Sequence, residues 1–183
     1  MKALERLEDK KEIKKIFRGM GESALWFLKD APVPRGNFKH LNSCSDLFVS
    51  LFPMIESWEW ERQGKNRPDR IAILGGNKVY FEIDRGTEKY DDISRKLDAY
   101  VSHYKETKED FIVIFTVEDY ADPFGKVRTS AKTRGAGILE RFTERKLPGN
   151  FYVCRHEQIA QDPSAPLVSR FQKTALKELL KPV

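Results

Sequence analysis

Residues 67–88 read RPDRIAILGGNKVYFEIDRGTE: two short apolar runs on either side of Gly75-Gly76-Asn77, with acids where the strands should be losing polarity. Glycines at the joint supply the positive φ angles of a tight hairpin, so RIAIL and KVYFEID read as antiparallel arms. Alternation in the second arm sets Val79, Phe81 and Ile83 on one face and Lys78, Tyr80, Glu82 and Asp84 on the other. Pairing across the turn then brings Asp69, at the start of one arm, beside Glu82, late in its neighbour. Bare paired carboxylates repel, and a hard divalent cation, Mg²⁺ or Mn²⁺, relieves that repulsion with two or three oxygen ligands plus water. Asp84, on the same face, reads as a third ligand or a partner of the ion's water shell. The alternative from spacing alone is that Asp69, Glu82 and Asp84 pair with Arg67, Arg70 and Arg85 as ordinary strand-end ions.

Outward from the hairpin, IESWEWE alternates, with Glu56, Trp58 and Trp60 on one face, and reads as a strand. Before it, NSCSDLFVSLF has an N-cap candidate at Asn42 or Ser43 and apolar residues at helical spacing up to Pro53. After Gly86, TEKYDDISRKLDAYVSHY places Tyr90, Ile93, Leu97, Tyr100, Val101 and Tyr104 on one broad helical face with Thr87 as cap. DFIVIFTVED is a nearly continuous apolar run, a strand buried on both faces, reached from the hairpin by a helical crossover. KVRTSAKTRGAGILERFTERK reads as a basic helix weakened by Gly135 and Gly137, NFYVCRHEQ as a strand and VSRFQKTALKELL as a final helix. An amphipathic helix from about Leu4 to Phe17, an apolar helical turn ending near Lys29 and a linker at 31–39 precede all of this. The expected organisation is a helical segment and linker at 1–38, an α/β core with a mixed sheet at 39–160 and a helical tail at 161–183.

The chain has 183 residues, 40% of them apolar, 11% aromatic and 33% charged, which argues against disorder and for one main domain with appendages. No apolar run approaches the roughly 20 residues of a membrane span, and the charged N-terminus is unlike a signal peptide, so the expected location is cytoplasmic, with no membrane partner. Two lone cysteines form no disulfide framework. His40, His103 and His156 are isolated, which argues against a histidine triad or a zinc knuckle, and no phosphate-cradling P-loop motif occurs. The net charge is +5, and it is unevenly spread: Lys126 to Lys146 holds seven basic residues against two acids, whereas Met54 to Asp92 holds nine acids against seven basic residues. An acidic centre with basic flanks suits a metal site facing a nucleic-acid backbone, as it also suits a solvated helix surface. On the first reading Lys126, Arg128, Lys132 and Arg134 would hold DNA phosphates.

Arg67-Pro68-Asp69, Phe81-Glu82-Ile83-Asp84-Arg85-Gly86-Thr87-Glu88 and Lys96-Leu97-Asp98-Ala99-Tyr100, taken as a spaced set, resemble the core of the replication-relaxation family of plasmid and mobile-element proteins. His40-Leu41, the helix ending in Phe52 and the strand at Trp58–Glu61 fit the same pattern, over about residues 40–120. That family is similar to the PD-(D/E)XK superfamily of restriction-endonuclease-like proteins, with an αβββαβ core, and overlaps a class of plasmid relaxases. The resemblance implies that Asp69 and Glu82 are the catalytic acidic ligands. Asp84 stands where the motif lysine usually does, so the implied lysine is Lys96 on the following helix, which would position the attacking water or stabilise the phosphate. Arg85 is expected on a phosphate, Asp46 is a further acidic candidate, and Glu88 equally suits a first-turn acid favoured by the helix dipole. The expected function is a DNA-binding, Mg²⁺-dependent endonuclease or nickase of a plasmid, phage or integrative element, working with other replication or transfer proteins. The alternatives are a nuclease-fold DNA-binding accessory factor without activity and a protein-interaction module of a mobile element using Trp58, Trp60 and the terminal helices as contact surfaces. The winged-helix region common in the family is not evident.

Overall fold

The computed structural model describes residues 13–16, 25–28, 38–59, 68–122, 124–147 and 150–180. Two compact units result, Met1–Phe38 and Lys39–Val183. In the first, β1 (Ile13–Ile16) and β2 (Leu25–Leu28) pair antiparallel with Ile13 opposite Leu28. The helix expected through Phe17 and the helical turn near Lys29 are therefore strands where they are described. The β-branched ends of IKKI and the aromatic pair in LWFL favour extended backbone over a helix whose apolar spacing was imperfect. The linker expected at 31–39 lies mostly outside the described residues.

The second unit opens within the first turn of α1 (Phe38–Leu51), which starts before the expected caps. Ser43 lies inside the helix, where its hydroxyl donates back to the Lys39 carbonyl at 2.9 Å. A 3₁₀ turn at Phe52–Met54 carries Pro53 and ends the helix. Then follow β3 (Ile55–Glu59), β4 (Arg70–Leu74), β5 (Asn77–Asp84), α2 (Tyr90–Thr107) and β6 (Ile112–Val117). The chain continues through a small hairpin, β7 (Tyr120–Ala121) and β8 (Val127–Thr129), into α3 (Ala131–Glu144), β9 (Phe151–Arg155) and α4 (His156–Gln161). Its end is β10 (Pro166–Val168), β11 (Lys173–Ala175) and α5 (Leu176–Leu179). The tail expected as one helix is thus mostly a hairpin: Pro166–Val168 pairs with Lys173–Ala175, with Leu167 fully buried in the first strand, and only Leu176–Leu179 is helical.

Seven strands form one mixed sheet in the order β11-β10-β9-β6-β5-β4-β3. β5, β6 and β9 run parallel at its centre, connected through α2 and α3, while β3, β4 and β5 are antiparallel neighbours. The hairpin register places Arg70 opposite Phe81, so Asp69, one residue earlier, falls opposite Glu82. Val79, Phe81 and Ile83 bury against Cys44, Leu47 and Leu51 of α1, together with Ile159. Tyr80 on the other face joins Ile93, Leu97 and Tyr100 of α2 and Ile138 and Phe142 of α3. Each such large side chain contributes about 1.5–3 kcal/mol of burial, so both faces are fully invested and strand register cannot slip.

The two glycines of α3 have steric reasons. A Cβ at Gly137 would stand 2.3 Å from the Tyr90 hydroxyl, and one at Gly135 would stand 3.2 Å from Val153. Tyr90 therefore lies flat on α3, with the guanidinium carbons of Arg134 and Arg141 at 4.3 and 3.8 Å from its ring centroid. Among the described residues no helix is long and apolar enough to cross a membrane.

Candidate functional site

Because β5, β6 and β9 are parallel, their carboxyl ends lie at one end of the sheet, and α2 and α3 begin there. Asp69 enters β4 at the same end. Its Oδ2 accepts the Ile83 backbone N–H at 2.7 Å, which ties the carboxylate to β5, and its Oδ1 is 3.0 Å from His40 Nε2 in the first turn of α1. His40 is pushed up to about 10 by its hydrogen bond to Asp69 and then by the Cys44 thiol one turn along. Burial works to raise the Asp69 carboxyl, yet the hydrogen bond and charge of His40 hold it below the ordinary range.

Glu82, 1% exposed, points to the α2 side of the sheet. Tyr100 donates to its Oε1 at 2.6 Å and Lys96 Nζ lies 2.8 Å from Oε2. The same ammonium reaches Glu88 Oε1 at 2.8 Å. Burial pushes the Glu82 carboxyl up to about 7; the Lys96 charge opposes this and the Asp69 charge adds to it. Burial also works against the charge on Lys96, but Glu82 and Glu88 outweigh it and keep the amine well above the ordinary lysine range. The Tyr100 hydroxyl, held up by burial and by Glu82, stays a donor.

The structure therefore brings Glu82 and Lys96 into contact and sets Asp69 beside Glu82, but Asp84 belongs to a different arrangement. Its Oδ2 is 2.5 Å from Arg134 Nε, its Oδ1 is 3.3 Å from Arg134 Nη2, and Oδ1 also accepts the Gly86 N–H at 2.8 Å. Arg134 Nη2 donates further to the Glu88 carbonyl at 2.6 Å. With 2% and 5% exposure, both residues are spent on one buried ion pair. This corrects two expectations: Asp84 faces a guanidinium in place of a shared ion, and Arg134 is a structural cation with no surface for a DNA phosphate. Among the described residues, no three His, Cys, Asp or Glu side chains are grouped to hold a metal ion.

Arg85 is half-buried, with Nε 3.6 Å from Glu118 Oε2. Lys126, Arg128 and Lys132 are exposed, and Arg128 is bound to Asp122 at 2.8 Å. Asp46 lines a separate cleft of about 610 Å³ at the ends of β6 and β9, together with Ser43, Glu118, Asp119, Arg155 and His156. The Ser43 hydroxyl shares its one proton between Glu118 there and the Lys39 carbonyl, and His156 Nδ1 meets Thr116 Oγ1 at 3.1 Å. Burial pushes His156 below its ordinary value against the charges of Glu118 and Asp46.

Sequence reading missed His40 and Tyr100 as members of the site and set Glu88 aside. Tyr100 carried a signal, since it follows Lys96 by four residues and shares its helical face. His40 carried a signal only as part of the His40-Leu41 pair of the resemblance, since its contact with Asp69 joins segments far apart in the chain. Comparison with known protein families, with characterised proteins and with solved structures returns no match.

Proposed function

We propose that this chain acts on DNA as a Mg²⁺-dependent endonuclease or nickase of the restriction-endonuclease-like kind, serving a plasmid, phage or integrative element as the replication-relaxation resemblance implies. The observation that carries the reading is Lys96 Nζ at 2.8 Å from Glu82, the carboxylate set in register beside Asp69. Support also comes from the element order, α1, three antiparallel strands, α2 and a parallel strand, which matches the αβββαβ pattern of that superfamily.

The donor set fits Mg²⁺ in one form. Asp69 and Glu82 supply two neighbouring carboxylates, each oxygen retaining a second lone-pair direction, and Mg²⁺ is commonly held by one or two carboxylates with waters and substrate phosphate completing the shell. A bound cation would neutralise phosphate charge and favour water as a nucleophile. Lys96 stays protonated at neutral pH between its two acids, so it serves as a hydrogen-bond donor to the scissile phosphate or the attacking water and not as a base. Tyr100 fixes the Glu82 rotamer, and the Ile83 N–H fixes Asp69. Expected partners are DNA and other replication or transfer proteins.

A second reading, a DNA-binding accessory factor of the same fold without turnover, draws on one observation: every carboxylate oxygen of Asp69 and Glu82 already has a protein partner. The deciding assay follows relaxation of supercoiled plasmid in Mg²⁺, Mn²⁺ or EDTA for the wild type, Asp69→Ala, Glu82→Ala and Lys96→Ala. The catalytic reading expects metal-dependent nicking that falls by roughly 10²–10³ in each variant. Absent nicking, or nicking that survives both acid substitutions, sinks it, and salt-sensitive retention of DNA without cutting supports the accessory reading.

A further inference from the structure

The β7–β8 hairpin stands outside the seven-stranded sheet and has no part in either core. It is nevertheless firmly built. At its root the Glu118 N–H donates to the Asp84 carbonyl at 2.9 Å, and Asp119 Oδ1 accepts the Ala131 N–H at 2.6 Å. At its turn Asp122 Oδ1 accepts the N–H groups of Phe124 and Lys126 at 2.9 and 3.0 Å, and the Asp122 carbonyl accepts that of Gly125 at 2.9 Å. Arg128 clasps the other Asp122 oxygen. The hairpin also lies on the turn that follows β5, since a Cβ at Gly86 would fall 2.7 Å from the Tyr120 Cβ. Two residues past Gly86 is Glu88, which holds Lys96.

This framework presents an apolar patch to solvent, with one ring foremost. Phe124 is 95% exposed, with Val127 and Tyr120 also exposed on the hairpin behind it. A scattered exposed apolar residue needs no explanation, but a phenyl ring held outward by a turn whose aspartate binds two backbone N–H groups and a guanidinium is a different matter. Two of the cations near it in the chain are unpaired: Asp122 is bound by two backbone N–H groups and Arg128, and Asp119 is exposed with one oxygen on the Ala131 N–H, while the ammonium groups of Lys126 and Lys132 are exposed and have no partner among the described residues. An aromatic face flanked by cations matches a nucleic-acid strand: a base has a π-face to stack and a phosphate on either side to neutralise, and this combination is how single strands are held without reading their sequence.

We propose that the β7–β8 hairpin is a base-stacking probe for unpaired DNA. The ring of Phe124 stacks on a base outside a duplex, Lys126 and Lys132 hold the adjoining phosphates, and the contact with Gly86 keeps the probed strand near Glu82 and Lys96. The inference rests on the DNA-acting reading given above and deepens it: the favoured substrate is DNA with an unpaired segment, not a uniform duplex.

Fluorescence anisotropy of the whole chain tests it, with a labelled oligothymidylate of about 20 nucleotides and a duplex of the same length, for the wild type, Phe124→Ala and Phe124→Trp. The ring is exposed, so both variants keep the fold. Phe124→Ala is expected to weaken binding of the single strand roughly 5- to 150-fold while changing duplex affinity by less than about twofold. Phe124→Trp is expected to keep single-strand binding, with quenching of the added indole emission. Equal single-strand affinity for wild type and Phe124→Ala, with DNA still bound, overturns the hairpin assignment and leaves the DNA-acting reading standing. No binding of either DNA by the wild type overturns both. If Phe124→Ala abolishes self-association in sedimentation while DNA affinity is unchanged, the ring is a protein contact and the proposal fails.

Discussion

Glu82→Gln should stabilise the protein at alkaline pH and do little at acid pH. The carboxyl has an ordinary acid constant of 4.5 in the unfolded chain and is pushed up to about 7 in the fold, so folding favours its protonated form. The contribution is therefore fully present below about pH 4.5 and is lost as pH rises through about 7. The whole span corresponds to roughly 3 kcal/mol. Between about pH 5 and pH 8 the wild type should lose roughly 2–3 kcal/mol that Gln, which cannot ionise, does not lose. Urea unfolding in EDTA, followed by tryptophan fluorescence, reads this as a relative shift in midpoint of roughly 1 M. Mg²⁺ should reverse the trend, raising the wild-type midpoint more at pH 8 than at pH 5 and leaving the variant unmoved. Parallel wild-type and variant curves in EDTA across that range would refute the reasoning, since they would mean that Lys96 keeps Glu82 ionised at every pH tested.

Gly86→Ala and Gly76→Ala separate backbone strain from crowding, because both have positive φ but only position 86 meets a neighbour, Tyr120. Gly76→Ala should cost roughly 1–2 kcal/mol in denaturant unfolding and Gly86→Ala clearly more; equal losses would show that the hairpin yields freely. Asp84→Asn or Arg134→Met alone should each cost roughly 3–5 kcal/mol by leaving a buried partner uncompensated, whereas the double variant should recover much of the loss. Additive losses in that cycle would deny the pairing.

The sheet was largely legible and the site only in part, for reasons visible at particular residues. Period-2 alternation from Val79 to Ile83 assigned the faces of β5, and the Gly75-Gly76-Asn77 turn set the register that brings Asp69 beside Glu82. Lys96 was within reach of sequence reasoning because a helix fixes which side chains look toward the sheet. Asp84 and Arg134 were misassigned because period alone places a carboxylate on a face without saying which cation waits there, and the partner lies fifty residues away. The short β10 and β11 failed for another reason: strands of three residues are too brief to display a period, and LKEL at their end lent its helical character to its neighbours.

The turn from Arg85 to Lys89 has a consequence for chain length. Asp84 before it, the Glu88 carbonyl within it and Tyr90 after it all rest on α3, through Arg134 twice and Gly137 once. The segment is a stirrup with its feet on a single helix. Most surface turns absorb an inserted or deleted residue, but here one residue changes the reach by about 3.5 Å and must unseat either the Asp84 ion pair or the tyrosine from its glycine socket. Length is as constrained as identity at this point in the chain, and related sequences should vary in the letters between Asp84 and Tyr90 before they vary in their number.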